Sequence, residues 1–190
     1  MRDLIIKSNG IKTERFYIPP FELNKGEIVV LFLYAGEHIF DLKMYLKDVF
    51  NGSIKHENII INQKLTFVER IYESTLRKIF YPLTVGEYLK KNANLESIYY
   101  KKIYEKVGIN PKTKANSLSG SLERQLSLYS TLSKTNNISL DLLGESPLEA
   151  QETYEIVKDA TQKGGSAILL DHTSEMKNDC SKYIEIELLK

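Results

Sequence analysis

The segment Ile28-Val29-Val30-Leu31-Phe32-Leu33 is apolar at every position, without the alternation of a half-exposed strand. Such a run suits a strand covered on both faces, as in a parallel sheet. With Tyr34 and Ala35 it is the longest apolar stretch in the chain, far short of the roughly 18 residues that cross a bilayer as a helix. The C-terminal third repeats the theme. Ile138 to Leu143 reads as a strand, and Ala167-Ile168-Leu169-Leu170 as another buried one. Between them Ser146-Pro147-Leu148-Glu149 opens a helix. Ser146 suits the N-cap, Pro147 the first helical position, and Glu149 completes a capping box. Gly164-Gly165 closes that helix, and Tyr183 to Leu188 forms a last strand. Strands alternating with helices predict a parallel α/β sheet.

The rest of the chain fills in around that sheet. Asp3 to Lys7 and Glu14 to Ile18 are short and β-rich, and Pro19-Pro20 ends the second. Asp41 to Phe50 has helical spacing, with Leu42, Met44, Tyr45, Leu46 and Val49 on one side and Asn51-Gly52-Ser53 as its stop. Further strands are expected at Ile59 to Asn62 and Leu65 to Tyr72. Leu83 to Asn110 reads as helical, Pro111 to Ser117 as a loop, and Ser119 to Ser133 as a helix with Leu122, Leu126, Tyr129 and Leu132 at helical intervals.

Charge excludes some partners. With 26 basic residues against 25 acidic ones, no global field draws in nucleic acid or an anionic membrane. Met1-Arg2-Asp3 lacks the apolar core of a signal peptide, and Cys180 is the sole cysteine, so a cytoplasmic location is expected. Cys180 has no nearby His and acid to activate it, and His38 and His56 have no metal-spaced companions; no metal site is expected. Tyr99, Tyr100 and Tyr104, interleaved with Lys101, Lys102 and Lys106, suit either RNA stacking or an amphipathic helix that docks a partner; the second is preferred.

Several segments, in order, carry a resemblance. Leu118-Ser119-Gly120-Ser121-Leu122 is followed by Glu123-Arg124-Gln125-Leu126-Ser127-Leu128; then come Ile138 to Leu143, Leu148-Glu149, and Ser166-Ala167-Ile168-Leu169-Leu170-Asp171-His172. They resemble, without gaps, the signature (leucine-serine-glycine-glycine-glutamine) and its helix, the Walker B strand, the D-loop and the switch-histidine strand of ATP-binding cassette (ABC) transporter nucleotide-binding subunits. Upstream, Leu23-Asn24-Lys25-Gly26-Glu27-Ile28-Val29 is similar to the lead-in to that family's P-loop. Leu83-Thr84-Val85-Gly86-Glu87-Tyr88-Leu89 is similar to the segment after its Q-loop. The resemblance implies one domain over residues 1–190 with the P-loop NTPase-like ABC ATPase fold: a mostly parallel sheet flanked by helices, an antiparallel β portion near the N-terminus, and a shortened helical subdomain at 83–117.

The departures bear on activity. A P-loop uses glycines for a tight turn, a lysine on the β/γ-phosphates and a hydroxyl on Mg²⁺. In the matching stretch, 33–40, Gly36 is the glycine retained, Ile39 stands at the lysine position and Phe40 at the hydroxyl position. Glu37 adds negative charge beside the phosphates. Leu142 and Leu143 fall at the metal-holding aspartate and catalytic glutamate, with Asp141 next door, where a one-residue slip would turn each strand side chain over. The Q-loop glutamine position falls at Thr75, and no aromatic occupies the adenine-stacking place near Gly10-Ile11.

The resemblance therefore implies a degenerate, non-catalytic subunit that pairs with an active ABC ATPase subunit (as hetero- or homodimer), with a membrane permease, or with both. It would be cytoplasmic and peripheral at the inner face of the membrane through the permease. No nucleic acid and no direct membrane insertion are expected, and ATP with Mg²⁺ is expected only at a partner's site. Ser119, Gly120 and Ser121 would contact nucleotide in trans, because in this family the signature acts on the nucleotide held by the other chain; the alternative is a helix cap. Gly36 belongs to the degenerate P-loop, His172 to the switch-histidine position, and Asp141 is a possible Walker B carboxylate. Two other readings stay open: a residual ATPase that uses Asp141, and an interaction scaffold outside transport.

Overall fold

The computed structural model describes residues 3–34 and 36–189. Met1 and Arg2, part of the N-terminal reading, Ala35, part of the apolar run and of the degenerate P-loop, and Lys190 lie outside the described residues. In chain order the elements are β1 Leu4–Ser8, β2 Ile11–Lys12, β3 Phe16–Ile18, β4 Phe21–Asn24, β5 Ile28–Phe32, α1 Ile39–Phe50, β6 Ile59–Ile61 and β7 Thr66–Phe67. Then follow α2 Thr75–Phe80, α3 Val85–Asn92, α4 Gly120–Leu132, β8 Asn137–Asp141, α5 Pro147–Gln162, β9 Ser166–Asp171, β10 Lys182–Glu185 and β11 Glu187–Leu188. The chain divides into two compact units, one of Met1–Phe67 with Asn136–Lys190 and the other of Val68–Thr135.

The first unit is built on a five-stranded sheet in the order β10-β5-β9-β8-β7, parallel throughout. β9 is buried at every residue and β5 at all but Phe32, as non-alternating apolar runs require. Register then sorts side chains by face. Val29 pairs with Ile168 and Leu31 with Leu170, and these join Leu42, Leu46, Val49 and Phe50 of α1 in one core. Asp141 pairs with Leu170 and so lies on that same face. Two antiparallel sheets, β4-β1-β6 and β11-β3-β2, complete the unit.

Local signals set the helix ends. Ser146 and Glu149 form the reciprocal capping box of α5 with Pro147 in its first turn, and the positive φ of Gly164 follows the last turn. Hydrogen bonds from the Ser146 backbone, and then from its side chain, hold the Glu149 carboxyl below the usual range. Ser146→Ala is expected to cost about 1 kcal/mol, lowering the unfolding midpoint by roughly 2–4 °C; an unchanged thermal melt would show that α5 does not need its cap.

In the second unit α3 opens on a capping box from Thr84 and Glu87. A Cβ on Gly86 would meet the Pro111 carbonyl oxygen at 2.8 Å, so this turn of α3 approaches the 111 backbone as only glycine permits. Glu73, buried, accepts the Leu83 N–H at 2.6 Å and sits 3.7 Å from the Arg77 Nε, closing the 73–83 segment on itself.

Four sequence expectations are corrected. Leu65 to Tyr72 is a strand only at Thr66–Phe67, because pairing with β8 lasts two residues before the chain leaves the first unit. Phe21–Asn24, where the sequence suggested no strand, is one paired with β1, and the stretch similar to a P-loop lead-in, Leu23 to Val29, begins inside it. Tyr183 to Leu188 breaks at the buried Ile186: β10 pairs with β5 and β11 with β3. The first helix begins at Ile39 rather than Asp41, which draws Ile39 and Phe40 into it. No helix among the described residues is long and apolar enough to cross a membrane.

Candidate functional site

In open α/β sheets, ligands gather at the carboxyl ends of the strands. Here those ends bring together Gly36, Asp141 and His172, all in the first unit. β5 runs out at Phe32, and Leu33 still donates its N–H to the Asp171 carbonyl at 2.7 Å. Gly36 sits in the bend before α1, with nothing within 4 Å of where a Cβ would stand. Ile39 is the first residue of α1. Phe40, the second, is 60% exposed. The helix N-cap, His38, makes no side-chain cap bond, and Asp41 lies in the first turn with Glu37 just ahead. A helix N-terminus favours anions, but two carboxylates placed there work against polyphosphate. Beside it, a groove of about 310 Å³ is lined by Arg15, Phe16, Tyr34, His38, Ile39 and Leu188, a size at the lower end for small-molecule sites. The Arg15 guanidinium is engaged with His38, 2.8 Å from its Nδ1.

β8 ends on Asp141, which is 1% exposed. Its Oδ2 lies 3.6 Å from the ammonium of Lys43, whose side chain is also largely buried. The Lys43 Nζ is in turn 4.9 Å from the centroid of the Phe40 ring, a cation–π contact. Leu142 is buried, bonding its N–H to the Leu170 carbonyl, and Leu143 packs partly buried against the core. Thus Asp141 and not Leu142 turns toward α1.

β9 ends on Asp171, fully buried. Its carboxylate accepts the N–H of His172 at 2.7 Å, the N–H of Thr173 at 3.1 Å and the Thr173 hydroxyl at 2.9 Å, so its own loop occupies it. The His172 Nδ1 is buried, 3.8 Å from Asp171 Oδ1, and finds no hydrogen-bond partner among the described residues. Burial, and then the charge of Glu185, push the Tyr183 phenol up to about 12, leaving it a donor near neutral pH; it reaches the Thr173 carbonyl at 3.5 Å.

Ser119, Gly120 and Ser121 belong to the other unit. Ser119 is the N-cap of α4, its hydroxyl accepting the Leu122 N–H at 3.3 Å. Gly120 has open space around it, and the buried Ser121 hydroxyl accepts from Gln125 at 3.3 Å. Thr75, at the Q-loop position, is the first residue of α2.

Two residues escaped the sequence reading. Lys43 follows Ile39 by one helical turn, so the two share a face of α1; a lysine on that face, with an aspartate ending the strand Asn137–Asp141, was the available signal. Tyr17 comes from β3 to the place near Gly10 where the sequence offers no aromatic: a Cβ on Gly10 would meet its ring at 3.3 Å.

No family model and no curated protein matches the chain. Solved structures do. A metal-chelate type ABC transporter in an inward-facing conformation superposes with a TM-score of 0.70 at 16% identity, over 99% of this chain and 84% of the other. The cbiO1 protein of Clostridium perfringens, part of the ABC transporter complex cbiONQ, gives 0.66 at 13% identity over 99% and 88%. An archaeal ribosome recycling factor, solved with a ribosomal stalk protein, gives 0.60 at 19% identity over 97% of this chain and 39% of its own. At such identities what is shared is architecture, and that architecture is the ABC ATPase fold.

Proposed function

We propose that this chain is a degenerate ABC nucleotide-binding subunit that does not hydrolyse ATP itself. It serves as a non-catalytic partner, pairing with an active ABC ATPase subunit, with a membrane permease, or with both. The observation that carries the reading is the composition of the strand ends. Phosphoryl transfer depends on positioning and charge neutralisation. Here an isoleucine and a phenylalanine open the helix after β5, and Asp141 is neutralised by Lys43. In this reading residues 83–117 are the reduced helical subdomain of a single cassette, and the chain sits at the inner face of a membrane only through its permease.

A second feature supports partner docking. In the second unit Tyr72, Leu76, Ile79, Phe80 and Tyr81 are each at least 66% exposed, and α2 has no buried residue. Beside them lies a groove of about 830 Å³. Exposed apolar surface of this kind supports docking against another protein.

The test is direct. The isolated chain is expected to release phosphate from Mg–ATP no faster than a mock preparation, and Mg–ATP is expected to shift its unfolding midpoint by less than about 1 °C. A ligand at 100 times its Kd would add about 2.7 kcal/mol, or roughly 5–10 °C. The rival reading, a residual ATPase acting through Asp141, is favoured by the direction of that side chain toward α1. Phosphate release that Asp141→Asn abolishes would establish the rival. The third reading, a scaffold outside transport, draws on the recycling factor that shares the fold. Co-purification with a multi-span membrane protein decides against it.

A further inference from the structure

We propose that Lys43 is a tethered cation: its ammonium neutralises Asp141 in place of a soluble divalent ion and keeps the end of β8 closed to a magnesium–nucleotide. The inference deepens the functional reading above and rests on it for the nature of the site.

Asp141 is 1% exposed, and a carboxylate so placed is strongly unfavourable unless a charge and hydrogen bonds compensate it. In a site of this shape the compensating charge can come from an ion out of solution or from a side chain. Here α1 supplies it, one turn after Ile39, with 3.6 Å between Lys43 Nζ and Asp141 Oδ2. The Lys43 side chain is only 15% exposed and the Phe40 ring lies over its ammonium, so the cation is held by the carboxylate and by an aromatic face together. A divalent ion with nucleotide would have to displace this ammonium from Asp141. The freed ammonium would be left in a half-apolar corner beside Ile39 and Phe40. The arrangement therefore explains how a buried aspartate is tolerated at a strand end whose neighbours, Leu142 and Leu143, are apolar.

The experiment is a double-mutant cycle read by thermal unfolding, with manganese chloride as the cation probe. Lys43→Met alone and Asp141→Leu alone are each expected to behave as broken buried pairs; the first, which strands the carboxylate, lowers the midpoint by on the order of 10 °C. The double variant, with an apolar pair of similar volume, is expected to recover most of that loss. Millimolar Mn²⁺, which suits carboxylate and water ligands, is expected to raise the midpoint of Lys43→Met while leaving the wild type and the double variant unmoved. Lys43→Arg, which keeps the charge, is expected to stay near the wild type. Additive losses in the double variant overturn the proposal, as does a Lys43→Arg loss equal to that of Lys43→Met, since packing and not charge would then be at stake. A Lys43→Met variant indifferent to Mn²⁺ overturns it too. ATP hydrolysis by the wild type would overturn the functional reading and the closure of the β8 end together, leaving only the Lys43–Asp141 coupling; additivity would remove the tethered cation and leave the functional reading in place.

Discussion

Phe50→Ala is expected to lower the unfolding midpoint by on the order of 10 °C. Phe50 closes α1 and is fully buried. Its ring meets Phe21 of β4 edge to face, with centroids 6.2 Å apart at 79°. It shares a core with Ile5, Ile6 and Leu23 of the antiparallel sheet and with Leu42, Leu46, Leu31 and Leu170 of the parallel sheet and its helix. One side chain thus ties two sheets of the first unit together. Truncation removes its transfer free energy and leaves a cavity between elements that cannot close over it, a cost of about 3–5 kcal/mol against a total stability of about 5–15. The same substitution at Phe80, which is 66% exposed, serves as the control and is expected to stay within about 0.5 kcal/mol of the wild type. Melting curves that drop equally for both variants would mean that the β4–α1 contact contributes nothing to the core.

The parallel sheet was legible in the sequence because its central strands are buried on both faces. Burial of that kind removes alternation, and β5 and β9 carry runs without alternation. The ends of α4 and α5 were legible because caps are local: Ser119 and Ser146 each bond to a backbone N–H three residues on. What depended on tertiary pairing was not legible. The β-rich composition of 65–72 outran its partner strand, and that of 182–188 hid a break between two sheets. The six residues of α2 carry Leu76, Ile79 and Phe80 at helical spacing, but a stripe of one turn and a half is too short to tell a helix from a strand or loop, and none of it is buried. The same limit applies to the candidate site. Asp141 lies one residue from where the ABC pattern would hold its metal ligand, and its orientation follows from a register that only pairing with β9 sets. Lys43 reads as one more surface lysine on an amphipathic helix until α1 is laid over the end of β8.

In a complex with an intact ABC ATPase partner, Ser119→Arg is expected to reduce ATP hydrolysis by on the order of 10²-fold while leaving assembly unchanged. On the proposed reading the chain has no working P-loop, so what it contributes to catalysis is its signature-like segment, set against the nucleotide of the partner. Ser119 caps α4 and is exposed; Gly120 leaves open space for close approach; Ser121 is small enough to preserve it. A helix N-terminus with a hydroxyl and free backbone donors stabilises phosphate charge, but only at hydrogen-bonding distance. Arginine at 119 would hold the two chains apart at closure, and a misplacement of about 1 Å is enough for a loss of this size. It would also remove the cap, worth about 1 kcal/mol, so stability needs a control. Ser119→Asp is that control: aspartate caps a helix as well as serine, yet sets a negative charge against the phosphate. The expected pattern is a normal melt and low activity for Ser119→Asp, with low activity for Ser119→Arg. If both variants assemble and the complex keeps full activity, Ser119 is a helix cap and nothing more, and the chain is a docking scaffold that happens to use the cassette fold.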